Sequence, residues 1–358
     1  MGTRVRLLVG TRKGGFIFES DGARGAWRVE GPLCAGWPVH DMTYDPTSDT
    51  IFAGAGNAWF GPAVFRSPDG GTSWSHSSEG LAYGDDGPKV STVWSVAPAR
   101  GSLFAGVDPA GLFRSDDGGS TWTHVQGLTD HPTRPTWQPG AGGLILHTIL
   151  PHPTEADRMW VAISAVGTFE TTDGGTSWMP RNKGVRADFM LEKYPETGQC
   201  VHKLVMAAGD PEHLYQQNHC GVYRSFDGGA SWQEVTAGLP SEFGFPMVAH
   251  PRDPATAWVI PHTGPEHGRF MPDGRAAVWR TVDGGDTWQE QTDGLPGQNA
   301  YLTVLRESMA SDRLDPVGLY FGTTSGELYG SRDGGQSWSV VAEHLPDIWA
   351  VDTITSED

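Results

Sequence analysis

The chain has 358 residues, with 43 acidic against 25 basic side chains and a formal net charge of −18. That balance excludes nucleic acid as a partner, because a phosphate backbone needs a basic face, and it offers no basic patch to an anionic membrane. No stretch approaches the ~20 apolar residues of a membrane span, no apolar signal-peptide core follows the N-terminus, and three cysteines give no even disulfide framework. A cytoplasmic protein is therefore expected.

In chain order, the first element is an apolar run, Val5–Gly10, followed by Glu19–Trp27, which holds an Asp-Gly and a Trp. From there one eight-residue motif recurs six times: Ser67–Trp74, Ser115–Trp122, Thr171–Trp178, Ser225–Trp232, Thr281–Trp288 and Ser331–Trp338, each reading Ser/Thr-x-Asp-Gly-Gly-x-Ser/Thr-Trp. The Asp-to-Asp steps are 48, 56, 54, 56 and 50 residues, and Asp21 lies 48 before Asp69, so the Glu19–Trp27 segment is a degenerate seventh copy. A period of about 50 residues over the whole chain marks a propeller rather than separate globular domains. Alternating runs flank each motif, which predicts a hairpin whose Gly-Gly turn takes positive φ, with the Asp bonding its own turn and the Trp packing between blades. The predicted fold is all-β: one domain over residues 1–358, a seven-bladed β-propeller. The run Val5–Gly10 matches the second strand of other blades, and Ile348–Val351 matches an innermost strand. The C-terminal strand is therefore expected to complete blade one and close the ring, pairing with Val5–Val9.

The repeated motif resembles the Asp box, or BNR repeat, of sialidase-like propellers, and the chain is similar over its full length to the bacterial BNR-repeat, sialidase-like family. That resemblance implies the propeller fold. It implies glycoside hydrolysis only weakly, because a fold hosts many functions and the sialidase Arg-Ile-Pro motif is absent. Xyloglucanases with similar repeats place their acids between two propellers, whereas this sequence has one. The photosystem-assembly factors of similar repeat are binders rather than enzymes.

Propeller geometry puts the motifs on one face and the starts of the innermost strands, with the turns between second and third strands, on the other. Aligning the innermost strands gives one equivalent position that reads His40, Trp94, His147, His202, Phe245, Tyr301 and Trp349. Three histidines and four aromatics are thus expected around the axis, with His219 approaching from the second-to-third turn of the His202 blade. Imidazoles at His40, His147, His202 and His219 are candidate ligands for one divalent metal (Zn, Cu or Fe) with an open position. The alternatives are metal-free acid–base work by His147, His202 and His219, and histidines that merely line a wet channel.

Two long loops, 129–140 and 182–196, enter on the same face, where loops of that length bind or cover something. They supply Arg134 and Trp137, and the acids Glu192 and Glu196, as candidates. With Trp94, Lys203, Tyr301 and Trp349, the first two complete a candidate substrate-binding set, and the acids join the catalytic one. Cys200 and Cys220 are either thiol ligands or buried apolar residues. The functional expectation is an enzyme acting on a small molecule at a histidine-rich, metal-bearing axial site: hydrolase or lyase first, metal-dependent oxidation second. A protein-binding or assembly platform and a glycoside hydrolase are the rivals.

Overall fold

The computed structural model of the chain describes residues 2–85 and 87–357. Seven four-stranded antiparallel sheets follow one another as blades around a central axis. Blade two is typical, with strands Val39–Asp45, Thr50–Asn57, Gly61–Ser67 and Ser75–Ser77 running from axis to rim. Blade one takes its innermost strand, Ile348–Glu357, from the far end of the sequence; the other three are Thr3–Thr11, Gly14–Asp21 and Arg28–Leu33. The closing register pairs Val5 with Thr355, Val9 with Val351 and Thr11 with Ile348. The expected closure is present, but Ile348–Val351 meets Val9–Thr11, and Val5–Val9 meets the residues after it. Closure gives Thr3–Thr11 a hydrogen-bonded neighbour on each side, so that strand is not left as an open edge.

The six motifs explain the turns between third and fourth strands. In the first copy Asp69 Oδ1 accepts from the Ser67 hydroxyl at 2.8 Å and the Ser73 amide at 2.9 Å, and Oδ2 accepts from the Ser73 hydroxyl at 2.6 Å. The glycines follow at φ +72° and +104°, a region only glycine enters cheaply. The same triad of bonds recurs at Asp173 and Asp283. In the degenerate copy, Asp21 retains one such bond, from the Ala23 amide at 3.0 Å.

The core is divided into seven wedges, one between each pair of neighbouring blades, and every wedge contains one tryptophan from the six motifs or their degenerate copy. Trp232, for example, is 7% exposed between blades four and five, packed with Trp160, Val185 and Leu214. Its indole N–H donates to Arg181 O in the preceding blade at 2.8 Å.

Blade seven differs from expectation. The segment Ala300–Val304 alternates like a strand but runs as a loop, its amides and carbonyls bonded to Gly274, Met271, His262 and Thr324. The innermost strand is Met309–Ser311, paired through Met309–Phe321. Tyr301 therefore lies off the axis, 63% exposed against Phe270.

Candidate functional site

Six of the seven innermost strands carry a bulge near the axial residue. Pairing slips between Val39 and Asp41, Val93 and Ser95, Leu146 and Thr148, Val201 and Lys203, Gly244 and Met247, and, in the closing strand, around Trp349. The residue skipped is His40, Trp94, His147, His202, Phe245 or Trp349. A bulge re-aims its side chain, which is why residues at this register gather at the axis. In blade seven Ser308 exchanges bonds with Gly322 as Asp41 pairs with Gly54, so the preceding residue, Glu307, is the seventh ring member. Tyr301 is not. Glu307 stands 26 residues before Asp333, as His147 stands 26 before Asp173, whereas Tyr301 stands 32 before.

Above the ring, on the face opposite the motifs, lies a cavity of about 480 Å³. Its aromatic walls are Trp94, Phe189, Phe243, Phe245 and Trp349; its polar groups are Ser164, Cys200, His202, His219, Arg269, Arg306 and Glu307. Arg306 donates to Ser164 Oγ at 3.0 Å. The Arg269 Nε is buried without a partner. Burial pushes the His202 imidazole well below its ordinary pKa, with the Arg306 charge adding to the effect. His219 is also lowered, first by burial and then by Arg269. Both shifts favour the neutral ring; Arg306 and Arg269 bear on His202, and Arg269 on His219. Burial raises the Cys200 thiol, and Arg306 opposes that shift.

The ring positions that look equivalent in sequence have different surroundings. His202 Nδ1 bonds Gly244 O at 2.6 Å, leaving Nε2 3.5 Å from Cys200 Sγ. His147 is 1% exposed with both nitrogens engaged, Nε2 with Val201 O at 3.0 Å and Nδ1 with Thr148 Oγ1 at 2.9 Å. His40 bonds Gly56 O at 2.9 Å and lies between the Trp94 and Trp349 rings, 4.3 and 4.6 Å away. Neither His40 nor His147 lines the cavity, and the expected quartet of imidazole ligands is not assembled. Cys200, His202 and His219 are brought together instead, with one donor atom of each within 4.8 Å of the others.

The long loops reach the cavity through other residues than expected. They contribute Gly140 and Phe189, with Ala141 and Gly142 just beyond the first. Trp137 is 7% exposed in the wedge between blades three and four, its indole bonded to Thr133, and Arg134 lies over its ring while donating to Ala110 O. Both are packing residues there. Glu192 and Glu196 are exposed and do not line the cavity; Glu196 meets Asn182 only through its carbonyl. Lys203 faces the axis one residue beyond His202 and is in direct contact with Glu307. Cys220 is buried away from the cavity, beside Asp188 and Glu242. Sequence reasoning missed Arg269, Arg306, Glu307 and Phe243. The first lies in an irregular segment with no repeat equivalent, and the next two were hidden by the misplaced blade-seven strand.

The site and fold together define a seven-bladed β-propeller with a cationic, aromatic axial cavity. No family model matches the chain. It is 25% identical over 239 residues to a xyloglucanase of Paenibacillus sp., covering 59% of this chain and 22% of that protein. It is 26% identical over 132 residues to the photosystem II assembly lipoprotein Ycf48 of Synechococcus sp. (strain CC9902), covering 36% of this chain and 33% of the relative. The chain thus matches only a third or less of either relative's length. A solved structure of YCF48 bound to D1 peptide superposes with a TM-score of 0.56 at 16% identity, covering 86% of this chain and 82% of that one. Both distant relatives are propellers, and the likeness at that identity concerns the fold.

Proposed function

We propose that the chain is an enzyme acting on a small organic anion held in the axial cavity. Arg269 and Arg306 take the anionic group, the aromatic walls take the apolar body, and His219 moves a proton as general base or acid. The observation that carries this reading is the convergence of two guanidiniums and two neutral imidazoles on one aromatic cavity in a chain of net charge −18. Ligand sites are mostly apolar pockets with a few convergent polar groups and perturbed titrations. The cavity volume suits a molecule of metabolite size. Among the described residues His219 has no ring hydrogen bond, its ring contacts being Phe189, His202 and Phe243, so its nitrogens are available to a ligand.

The glycosidase alternative needs two carboxyl groups across the reacting bond. Among the described residues Glu307 is the one carboxylate lining the cavity, and Lys203 contacts it.

The test is a thermal-shift screen of small carboxylates and phosphorylated compounds, followed by NMR of each hit incubated with the protein. The reading expects an anion to raise Tm, Arg306→Ala to abolish the rise, and His219→Ala to bind but not convert it. Equal shifts from neutral compounds that survive in Arg306→Ala would refute it.

A second reading, a binding platform, is favoured by the rim. Phe189, Met190, Leu191 and Tyr194 are 50%, 43%, 110% and 53% exposed on one loop beside the cavity mouth. Such an apolar run suits a peptide, and a structural neighbour is described as bound to one. That reading expects Leu191→Asp to lose partner capture while Arg306→Ala retains it.

A further inference from the structure

Cys200 and His202 flank Val201 at the start of the innermost strand of blade five, and the bulge at His202 turns its ring to the side of the Cys200 thiol. His219 sits in the turn opposite, and its backbone amide donates to Cys200 O at 2.9 Å, which pins the two segments together. Phe243 packs edge-on against both imidazoles, with centroids 5.1 and 5.0 Å away.

We propose that Cys200, His202 and His219 bind one divalent transition-metal ion of the zinc class through one sulfur and two imidazole nitrogens, with a fourth position open to the axial cavity. The proposal rests on that cavity being a ligand site; in the metal-bound protein His219 serves as a ligand rather than as the proton carrier, and the ion supplies a Lewis acid in its place.

Three features support it. One donor pair already stands at ligand spacing, and the third is near: with metal–sulfur and metal–nitrogen bonds of about 2.3 and 2.0 Å, tetrahedral ligands stand roughly 3.3–3.6 Å apart. Cys200 Sγ and His202 Nε2 are already 3.5 Å apart, and His219 completes the group within 4.8 Å. The backing is in place, because a metal-binding histidine usually gives its other N–H to a carbonyl, as His202 Nδ1 does to Gly244 O at 2.6 Å. The donor set is selective, since one thiolate and two imidazoles favour zinc, cobalt(II) or copper over magnesium or calcium. Binding would release the thiol proton to solvent. Arg269 and Arg306, on the cavity side, would favour an anion at the open position.

The experiment uses full-length protein stripped with chelator and titrated with Co²⁺, then Zn²⁺. About one equivalent of Co²⁺ should bind, with a thiolate-to-cobalt charge-transfer band that Zn²⁺ bleaches, as expected for a single site with a thiolate ligand. Cys200→Ser should lose the band, and His219→Ala, at a partly exposed turn position, should weaken uptake at least about tenfold while retaining the wild-type circular dichroism. Arg306→Ala should keep the metal and lose the organic-anion shift. Folded wild type that takes up no cobalt, or a band that persists in Cys200→Ser, overturns the metal site. Metal uptake without any anion-dependent shift overturns the preceding functional reading instead.

Discussion

The motif turns and the axial ring are both sevenfold-related, and they behave in opposite ways. At the turns the residues are nearly the same in six of the seven blades, and so are the bonds: Asp69, Asp173 and Asp283 each hold a Ser or Thr hydroxyl and amide four residues on. At the ring the backbone device is repeated, a bulge in blade after blade, but the residues are histidine, tryptophan, phenylalanine and glutamate. Repetition of both geometry and side chain marks scaffold. Repetition of geometry with varied side chains marks a place where the blades have been given separate tasks. The electrostatics divide the same way. Hydrogen bonds from Ser73 and Ser67 hold Asp69 at about 2, whereas burial, with Glu307 adding to it, pushes Asp41 beside the ring up to about 7.

The largest effect that tests this contrast is loss of the closing strand. Removing residues 348–357 takes away every partner of Thr3–Thr11 on one side and opens the ring. The protein should lose its cooperative urea transition; a truncated chain that still unfolds in one sharp step would contradict closure as a requirement. Next comes a motif tryptophan. Trp232→Ala should destabilise by roughly 3–5 kcal/mol in urea melts, as large aromatic deletions from packed sites do, while leaving cavity ligands bound by the surviving folded protein. Third, Arg306→Ala should leave the urea midpoint near wild type but weaken anion binding by about tenfold or more, the scale of one charge-assisted hydrogen bond.

The smallest effect is in the pH dependence. The folded pKa of Asp41 lies above its unfolded value of about 4, so the fold favours the protonated form. That contribution is present in full below about pH 4 and lost as pH rises through about 7. Asp69 is the reverse: its contribution is present above about pH 4 and lost as pH falls through about 2. Asp41→Asn should therefore flatten the decline of Tm between about pH 4 and 7, and Asp69→Asn should flatten only the acid limb. A decline unchanged in Asp41→Asn would shift the effect to Asp352, which burial also raises, to about 6.

The fold was legible because each motif carries its own local reason to turn, and the period repeats that reason over the chain. The ring was legible at six of its seven positions, through strands that align on a Val, Leu or Ile before the axial residue in five blades and on Gly244 in the sixth. It failed in blade seven because Ala300–Val304 has strand-like alternation but finds its hydrogen bonds in neighbouring loops. With that strand misplaced, Arg306 and Glu307 fell outside the aligned register. The roles of the histidines were not legible at all. His147 and His202 occupy the same register, yet Val201 O and Thr148 take both nitrogens of one, while the other keeps Nε2 for Cys200. Those partners come from the next blade or an adjacent side chain, and no residue spacing records them. The loops misled in a similar way: Trp137 and Arg134 fill a wedge, while the inconspicuous Gly140 and Phe189 reach the cavity.

The most direct measurement is calorimetric titration of the strongest organic anion from the screen into wild type, Arg306→Ala and Asp227→Ala, the last altering a motif on the opposite face. The account predicts that Arg306→Ala raises Kd by about tenfold or more and that Asp227→Ala leaves Kd unchanged in whatever fraction folds. Unchanged binding in Arg306→Ala, with binding lost in folded Asp227→Ala, would contradict it.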